Sequence, residues 1–219
     1  SIFIQILKSL ITNDFCVNGY KTMIIDNENR KLKVHEWIAK YNEEGSLDIV
    51  TGYFTIGALA YLSKSTKDRI ENYRFILGDI VNFDKKSKAL DLLNETIGIE
   101  DSFKLNLLAK EAVEFLKLDK VIAKTLEPNF CHAKLYLKTA KVQDALNYFI
   151  VGSSNLTEAG IGQKTTSNVE LNIAETGNNN QYIELVKWFN DLWERPQAHS
   201  KKTLIDENGK LTKKDFKEY

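Results

Sequence analysis

The part of the chain that most limits how it can fold is residues 130–175, where three short apolar runs carry polar groups at positions a buried strand usually fills with aliphatic ones. In residues 130–137, His132 and Lys134 alternate with Ala133, Leu135 and Leu137, so an extended backbone sends both polar side chains to one face. In residues 148–156, Tyr148, Phe149, Ile150 and Val151 run into Gly152, Ser153, Ser154, Asn155 and Leu156. That is a tight turn presenting two hydroxyls, a carboxamide and backbone N–H groups beyond the strand end, a natural phosphate cradle. The third run, residues 168–173, places Glu170 between Val169 and Leu171.

Taken in order, His-x-Lys, Gly-Ser-x-Asn and a strand-borne Glu resemble the phospholipase D superfamily, on His132, Lys134, Gly152, Ser153, Asn155 and Glu170. Two features depart from the pattern. The family's Asp, five residues after the Lys and tied more to fold than to reaction, is here Thr139. The gap to the glycine is also longer, the extra residues lying between Ala140 and Asn147 and read as a longer hairpin loop.

The resemblance implies an α/β fold, a mixed β-sheet flanked by helices in a phospholipase D-like sandwich. It implies phosphodiester hydrolysis through a phosphohistidine, with no metal and no other cofactor. In that chemistry His132 is the nucleophile. Lys134, Asn155 and the Ser153 hydroxyl hold the phosphoryl oxygens, with Gly152 and Ser154 in the same substrate-binding turn. Glu170 orients a histidine, either its own or that of a second chain. The family's mechanism needs two histidines from two copies of the motif. This chain has one, so a homodimer is expected, with His132 facing His132 across a shared cleft. His199, Ser200 and Lys201 also spell His-x-Lys, but in a polar segment without a following Gly-Ser-x-Asn.

The Gly-Ser-Ser-Asn-Leu-Thr form of the turn resembles bacterial nucleases, restriction-type endonucleases and the nuclease-like domains ahead of Swi/Snf-type or DEAD-box helicases. DNA is therefore the expected substrate, and a fused or associated helicase motor the expected partner. Two other classes stay open: a nucleic-acid-binding or dimerisation module without catalysis, and a phosphatidyl-transferring enzyme acting on lipid.

The rest of the chain sets bounds. Its 219 residues suffice for one well-buried α/β domain, placed at residues 1–195, with residues 196–219 as a polar linker or the start of a further region. The 30 basic and 30 acidic residues cancel, so no whole-molecule field draws nucleic acid or membrane, and any anion site is local. Cys16 and Cys131 are too few for a disulfide framework and lack metal-ligand spacing, which fits a cytoplasmic location. The longest charge-free apolar stretch, residues 49–63, is short of the ~20 residues a membrane-spanning helix needs, so no membrane insertion is expected.

Periodicity leaves residues 2–10 open between strand and helix. It predicts helices over 32–41, 56–62, 85–97, 104–118 and 182–193, and strands over 47–54, 74–78, 120–124 and, as the last strand, 169–174. His35 reads as a helix-boundary histidine, and Tyr53 and Phe54 as either pocket wall or core. A short helix is expected after Asn155, its N-terminus favouring an anion.

Overall fold

The computed structural model describes residues 16–17, 20–28, 32–80, 99–128, 130–142, 145–164, 168–205 and 209–215. The expectations for residues 2–10 and 85–97 lie outside them. In chain order the elements are β1 (Cys16–Val17), β2 (Tyr20–Ile25), α1 (Val34–Lys40), β3 (Gly45–Phe54), α2 (Ile56–Thr66), β4 (Ile70–Ile80), α3 (Ile99–Lys117) and β5 (Val121–Leu126). There follow β6 (Leu135–Ala140), β7 (Tyr148–Gly152), β8 (Asn172–Thr176), α4 (Asn180–Trp193), β9 (Ala198–His199), β10 (Lys201–Ile205) and β11 (Leu211–Asp215).

Nine strands form one mixed sheet in the order β1-β2-β8-β7-β6-β3-β4-β5-β9. β3 pairs parallel with β4, and β4 with β5; the other ladders are antiparallel. Parallel neighbours need a crossover, and α2 and α3 supply the two that this sheet requires. Because β3 is buried on both faces, its sequence reads as a nearly continuous apolar run rather than an alternation. One face of the sheet buries Leu47, Ile49, Tyr73, Phe75, Tyr136 and Ile150 with residues of α1, α2 and α3. The alternate residues Val50, Ile76, Leu135, Leu137 and Phe149 pack with Phe189, Leu192 and Trp193 of α4.

Arg74 pins α4 to the sheet. Its guanidinium grips the buried Asp48 carboxylate in a two-pronged pair at 2.7 and 2.6 Å, donates to Asn190 Oδ1 at 2.9 Å and lies 4.7 Å from the Phe189 ring centroid. A buried carboxylate is tolerated because every prong of the fork is used. Thr139, in the position of the family Asp, shares a 2.6 Å hydrogen bond with the Tyr182 hydroxyl and so ties β6 to the same helix.

Three expectations are corrected. The strand expected across residues 130–137 begins only at Leu135, because beyond Val50 the edge of β3 is taken by the turn after β7. There Leu156 bridges Phe54, Tyr53 N–H donates to Asn155 Oδ1 at 3.1 Å, and Thr55 N–H donates to the Leu156 carbonyl at 3.0 Å. His132 and Lys134 thus sit on the run-up to β6. Glu170 likewise precedes β8 instead of lying within it, and β8 is followed by further strands. The short helix expected after Asn155 does not form in residues 156–164: Gly160 and Gly162 interrupt it, Gly162 with φ +77° and Gly160 so close to the Asn155 carbonyl that a Cβ would stand 2.4 Å from it. Past Pro196, in the segment expected as a polar linker or the start of a further region, Ala198–His199 add β9 to the sheet edge and β10 pairs with β11.

The lengthened connection after Ala140 does close a β6–β7 hairpin, with Ala140 N–H on Asn147 Oδ1 at 2.6 Å. His35 is a half-buried helix histidine whose Nδ1 meets the Ile161 carbonyl at 2.8 Å. No helix among the described residues is long and apolar enough to cross a membrane.

Candidate active site

The sheet order gathers the singled-out residues. β3 and β7 run the same way and β6 and β8 oppose them, so the ends of β3 and β7 and the starts of β6 and β8 share one edge of the sheet. Lys134, Gly152, Ser153, Asn155 and Glu170 are all within a few residues of that edge. Sites form there because strand ends leave backbone groups and loops free to face a ligand.

Each side chain is held by its own local chemistry. Lys134 is 7% exposed and donates from Nζ to the His132 carbonyl at 2.5 Å, curling the run-up to β6 around the ammonium. Burial lowers its pKa, and the opposing pull of Cys131 and Glu170 does not cancel that effect. The Lys134 carbonyl also accepts from Gly152 N–H at 3.4 Å, joining the two motif segments. At Gly152 any Cβ would stand 2.2 Å from the Leu171 carbonyl, so the glycine is what allows β7 and the approach to β8 to close.

Ser153 and Glu170 act as a clip. The Ser153 hydroxyl donates to Glu170 Oε2 and accepts from Leu171 N–H at 3.0 Å. Asn168 Nδ2 donates to Glu170 Oε1 at 3.3 Å. Asn155 is anchored through its oxygen, by Tyr53 N–H at 3.1 Å with the Thr51 hydroxyl 3.4 Å away, which leaves its amide N–H groups without a partner among the described residues. The Asn155 side chain lines a cleft of about 310 Å³ with Tyr53, Thr55, Thr157 and Asn168. A separate depression of about 430 Å³ against α4 is lined by Lys134, Gly152, Leu185 and Trp188.

Ser154 is placed differently from expectation, and of the two alternatives for Glu170 the one within the chain is not formed. Ser154 is fully buried, its hydroxyl accepting from Asn172 Nδ2 at 2.9 Å and its N–H donating to Asn172 Oδ1 at 3.1 Å, so it shapes the turn from beneath and presents nothing to a ligand. Glu170 does not reach His132 within the chain. The His132 ring is exposed and has no hydrogen-bond partner among the described residues; its neighbour is the Phe130 ring, centroids 6.2 Å apart. Of the two aromatics left open, Tyr53 walls the cleft and Phe54 fills core.

The N-terminus of α2 follows directly on β3 at this edge, and a carboxylate already sits against it. Glu158 packs over Gly57, where a Cβ would stand 2.4 Å from its Cδ, and Glu158 N–H donates to the capping Thr55 hydroxyl at 3.3 Å. That end is therefore a poor second anion site.

Sequence reasoning missed the residues that hold the site from within. Thr51 accepts from Leu156 N–H at 2.9 Å and donates to the Tyr53 carbonyl at 2.7 Å. Asn172, 1% exposed, joins Ser154 to the Ile25 carbonyl. The available signal was a polar residue flanked by apolar ones inside a strand-like run, which Thr51 shares with Asp48 and Asn172 with Glu170.

Compared with known proteins, the chain matches no family profile and no curated sequence. Among solved structures it is similar to NucT from Helicobacter pylori, with 12% identity, 82% of this chain and 98% of that chain covered, and a TM-score of 0.49. It is similar to a phospholipase D family member, Nuc from Salmonella typhimurium, with 13% identity, 82% and 97% covered, and a TM-score of 0.46. It is also similar to the phosphatidylserine synthase of Haemophilus influenzae, with 11% identity, 83% and 40% covered, and a TM-score of 0.46. At such values the chemistry rests on the side chains themselves.

Proposed function

We propose that the chain is a phosphodiester hydrolase of the phospholipase D type acting on nucleic acid, DNA in the first instance, with its site completed by a second copy. The observation that carries the reading is one edge of the sheet bearing a buried ammonium, an anchored carboxamide and an exposed imidazole, the last two with nitrogens that have no hydrogen-bond partner among the described residues. A phosphodiester needs those three functions: charge compensation for the non-bridging oxygens, directed donors and a nucleophile.

In this mechanism a nitrogen of His132 attacks phosphorus, the P–N bond forms and the P–O bond to the leaving group breaks. The partner copy's imidazolium gives its proton to the departing oxygen. Now neutral, that imidazole takes a proton from water, whose oxygen attacks phosphorus, breaks the P–N bond and restores both rings. Lys134 and Asn155 hold the phosphoryl oxygens throughout. Glu170, engaged within its own chain by Ser153 and Asn168, supports the neighbouring ammonium, and its reach to a histidine is assigned to the partner copy. A helicase motor, carried by the resemblance alone, remains part of the proposal as a fused or associated partner.

One observation favours a second reading, a binding module without turnover: among the described residues no group of the same chain hydrogen-bonds the His132 ring. Cleavage of DNA in chelator by the wild type and by His132→Ala decides between them. Loss of cutting in the variant supports the hydrolase; equal cutting by both removes it. A rate per chain that falls on dilution supports the shared site.

A further inference from the structure

Beside the imidazole stands a pair of aromatic rings that the hydrolytic chemistry does not use. Phe130 is 44% exposed and Tyr53 39% exposed, with centroids 5.2 Å apart, and Phe130 is 6.2 Å from the His132 ring. A single exposed ring needs no explanation, but here two exposed aromatics lie against each other beside the site.

The seat under Phe130 is built for it. Gly52 of β3 and Gly78 of β4 lie side by side, so close that a Cβ on Gly78 would stand 2.0 Å from the Gly52 carbonyl oxygen and 2.9 Å from Phe130 Cε2. A Cβ on Gly52 would press on the same ring at 3.3 Å. Bare backbone thus packs against the far end of the ring, while 44% of the residue stays exposed. Tyr53 continues the surface into the cleft where Asn155 and Asn168 offer amide groups.

We propose that Phe130 and Tyr53 form a stacking platform for an unpaired base next to the scissile phosphate, which makes the preferred substrate a single-stranded nucleic acid. The proposal rests on the hydrolase reading for the position of that phosphate. A base in a duplex has both faces covered by its neighbours and cannot lie on the rings, whereas a splayed base can, and any base has a face to offer. A quaternary ammonium headgroup is the other ligand aromatics hold, but it wants rings around it on several sides. Here both rings belong to one rim with backbone behind Phe130.

Stacking on an aromatic side chain is worth about 1–3 kcal/mol per base, or about 5- to 150-fold. The test uses the full chain in chelator with a single-stranded oligodeoxynucleotide carrying 2-aminopurine, the same strand with abasic positions, its duplex and phosphatidylcholine vesicles. The wild type is expected to favour the base-bearing strand over the abasic one by that factor and to quench 2-aminopurine fluorescence. Phe130→Leu is expected to bring the ratio close to one, and Phe130→Trp to retain it. Equal use of base-bearing and abasic strands by the wild type, a ratio unchanged in Phe130→Leu, or preference for duplex or vesicles overturns the platform. If the wild type hydrolyses nothing, the hydrolase reading fails by itself. Fluorescence quenching, lost in Phe130→Leu or not, then decides the platform separately.

Discussion

Replacing Asn172 by Ala tests whether the phosphate turn is held from beneath. The side chain is 1% exposed and serves three groups: Ser154 N–H at 3.1 Å, the Ser154 hydroxyl at 2.9 Å and the Ile25 carbonyl at 3.2 Å. The hydroxyl can rotate toward another partner, but the two backbone groups cannot. At about 1–3 kcal/mol for each buried group left unmatched, Asn172→Ala is expected to cost about 2–6 kcal/mol. Ser154→Ala removes one hydroxyl and is expected to cost about 1 kcal/mol. Because the two residues share one network, the double variant should lose less than the sum. Urea unfolding measures all three, with the midpoint falling and the slope unchanged. A loss below about 1 kcal/mol for Asn172→Ala, or strict additivity, refutes the claim that this amide fixes the turn.

Lys134 is held below the ordinary lysine range by burial, with Cys131 and Glu170 pulling it back up. Its charge is lost as pH rises through that lowered value, so the alkaline limb of kcat/KM should lie below the usual lysine pH. Glu170→Gln, which removes a supporting carboxylate, should move that limb lower still; a limb in the ordinary range, or an upward shift, contradicts the assignment. Glu111 of α3 is held below the usual carboxylate range by the Ser63 hydroxyl at 2.5 Å and Lys67 at 3.1 Å on the α2 side. With the folded pKa below the unfolded one, its contribution is present above the unfolded value and lost as pH falls through the folded one. Lys67 is 41% exposed, so the effect is small, and the gap in urea midpoint between wild type and Glu111→Gln should close on acidification. Phe189→Ala, which empties the centre of the α4 contact and uncovers Arg74, should cost about 3–5 kcal/mol in the same assay.

The parts of the fold legible in the sequence were those with strong local signals. Residues 47–54, 148–152 and 182–193 carry apolar runs or helical spacing bounded by turn residues, and all three form the expected elements. The segments around His132 and Glu170 also satisfied a strand pattern. Whether they become strands depends on which chain takes the neighbouring edge, and past Val50 that edge belongs to Asn155 and Leu156, a choice made far away in sequence. Two adjacent serines look alike on paper; only the position of Asn172 sends Ser154 inward and leaves Ser153 to Glu170. The strands after Pro196 escaped notice because pairing at a sheet edge or in a hairpin uses backbone groups and needs no apolar run. Thr139 reads as a missing Asp, yet its hydroxyl still fastens β6 to Tyr182.

The most direct test of the proposed chemistry is capture of the covalent intermediate. The chain is mixed in chelator with an end-labelled oligonucleotide, quenched in alkali, where a P–N bond survives, and analysed by peptide mass spectrometry. The expected result is a nucleotide adduct on His132 that acid removes, absent from His132→Ala. Strand cleavage with no adduct on any histidine, or the same adduct and cleavage in His132→Ala, would contradict nucleophilic attack by this imidazole.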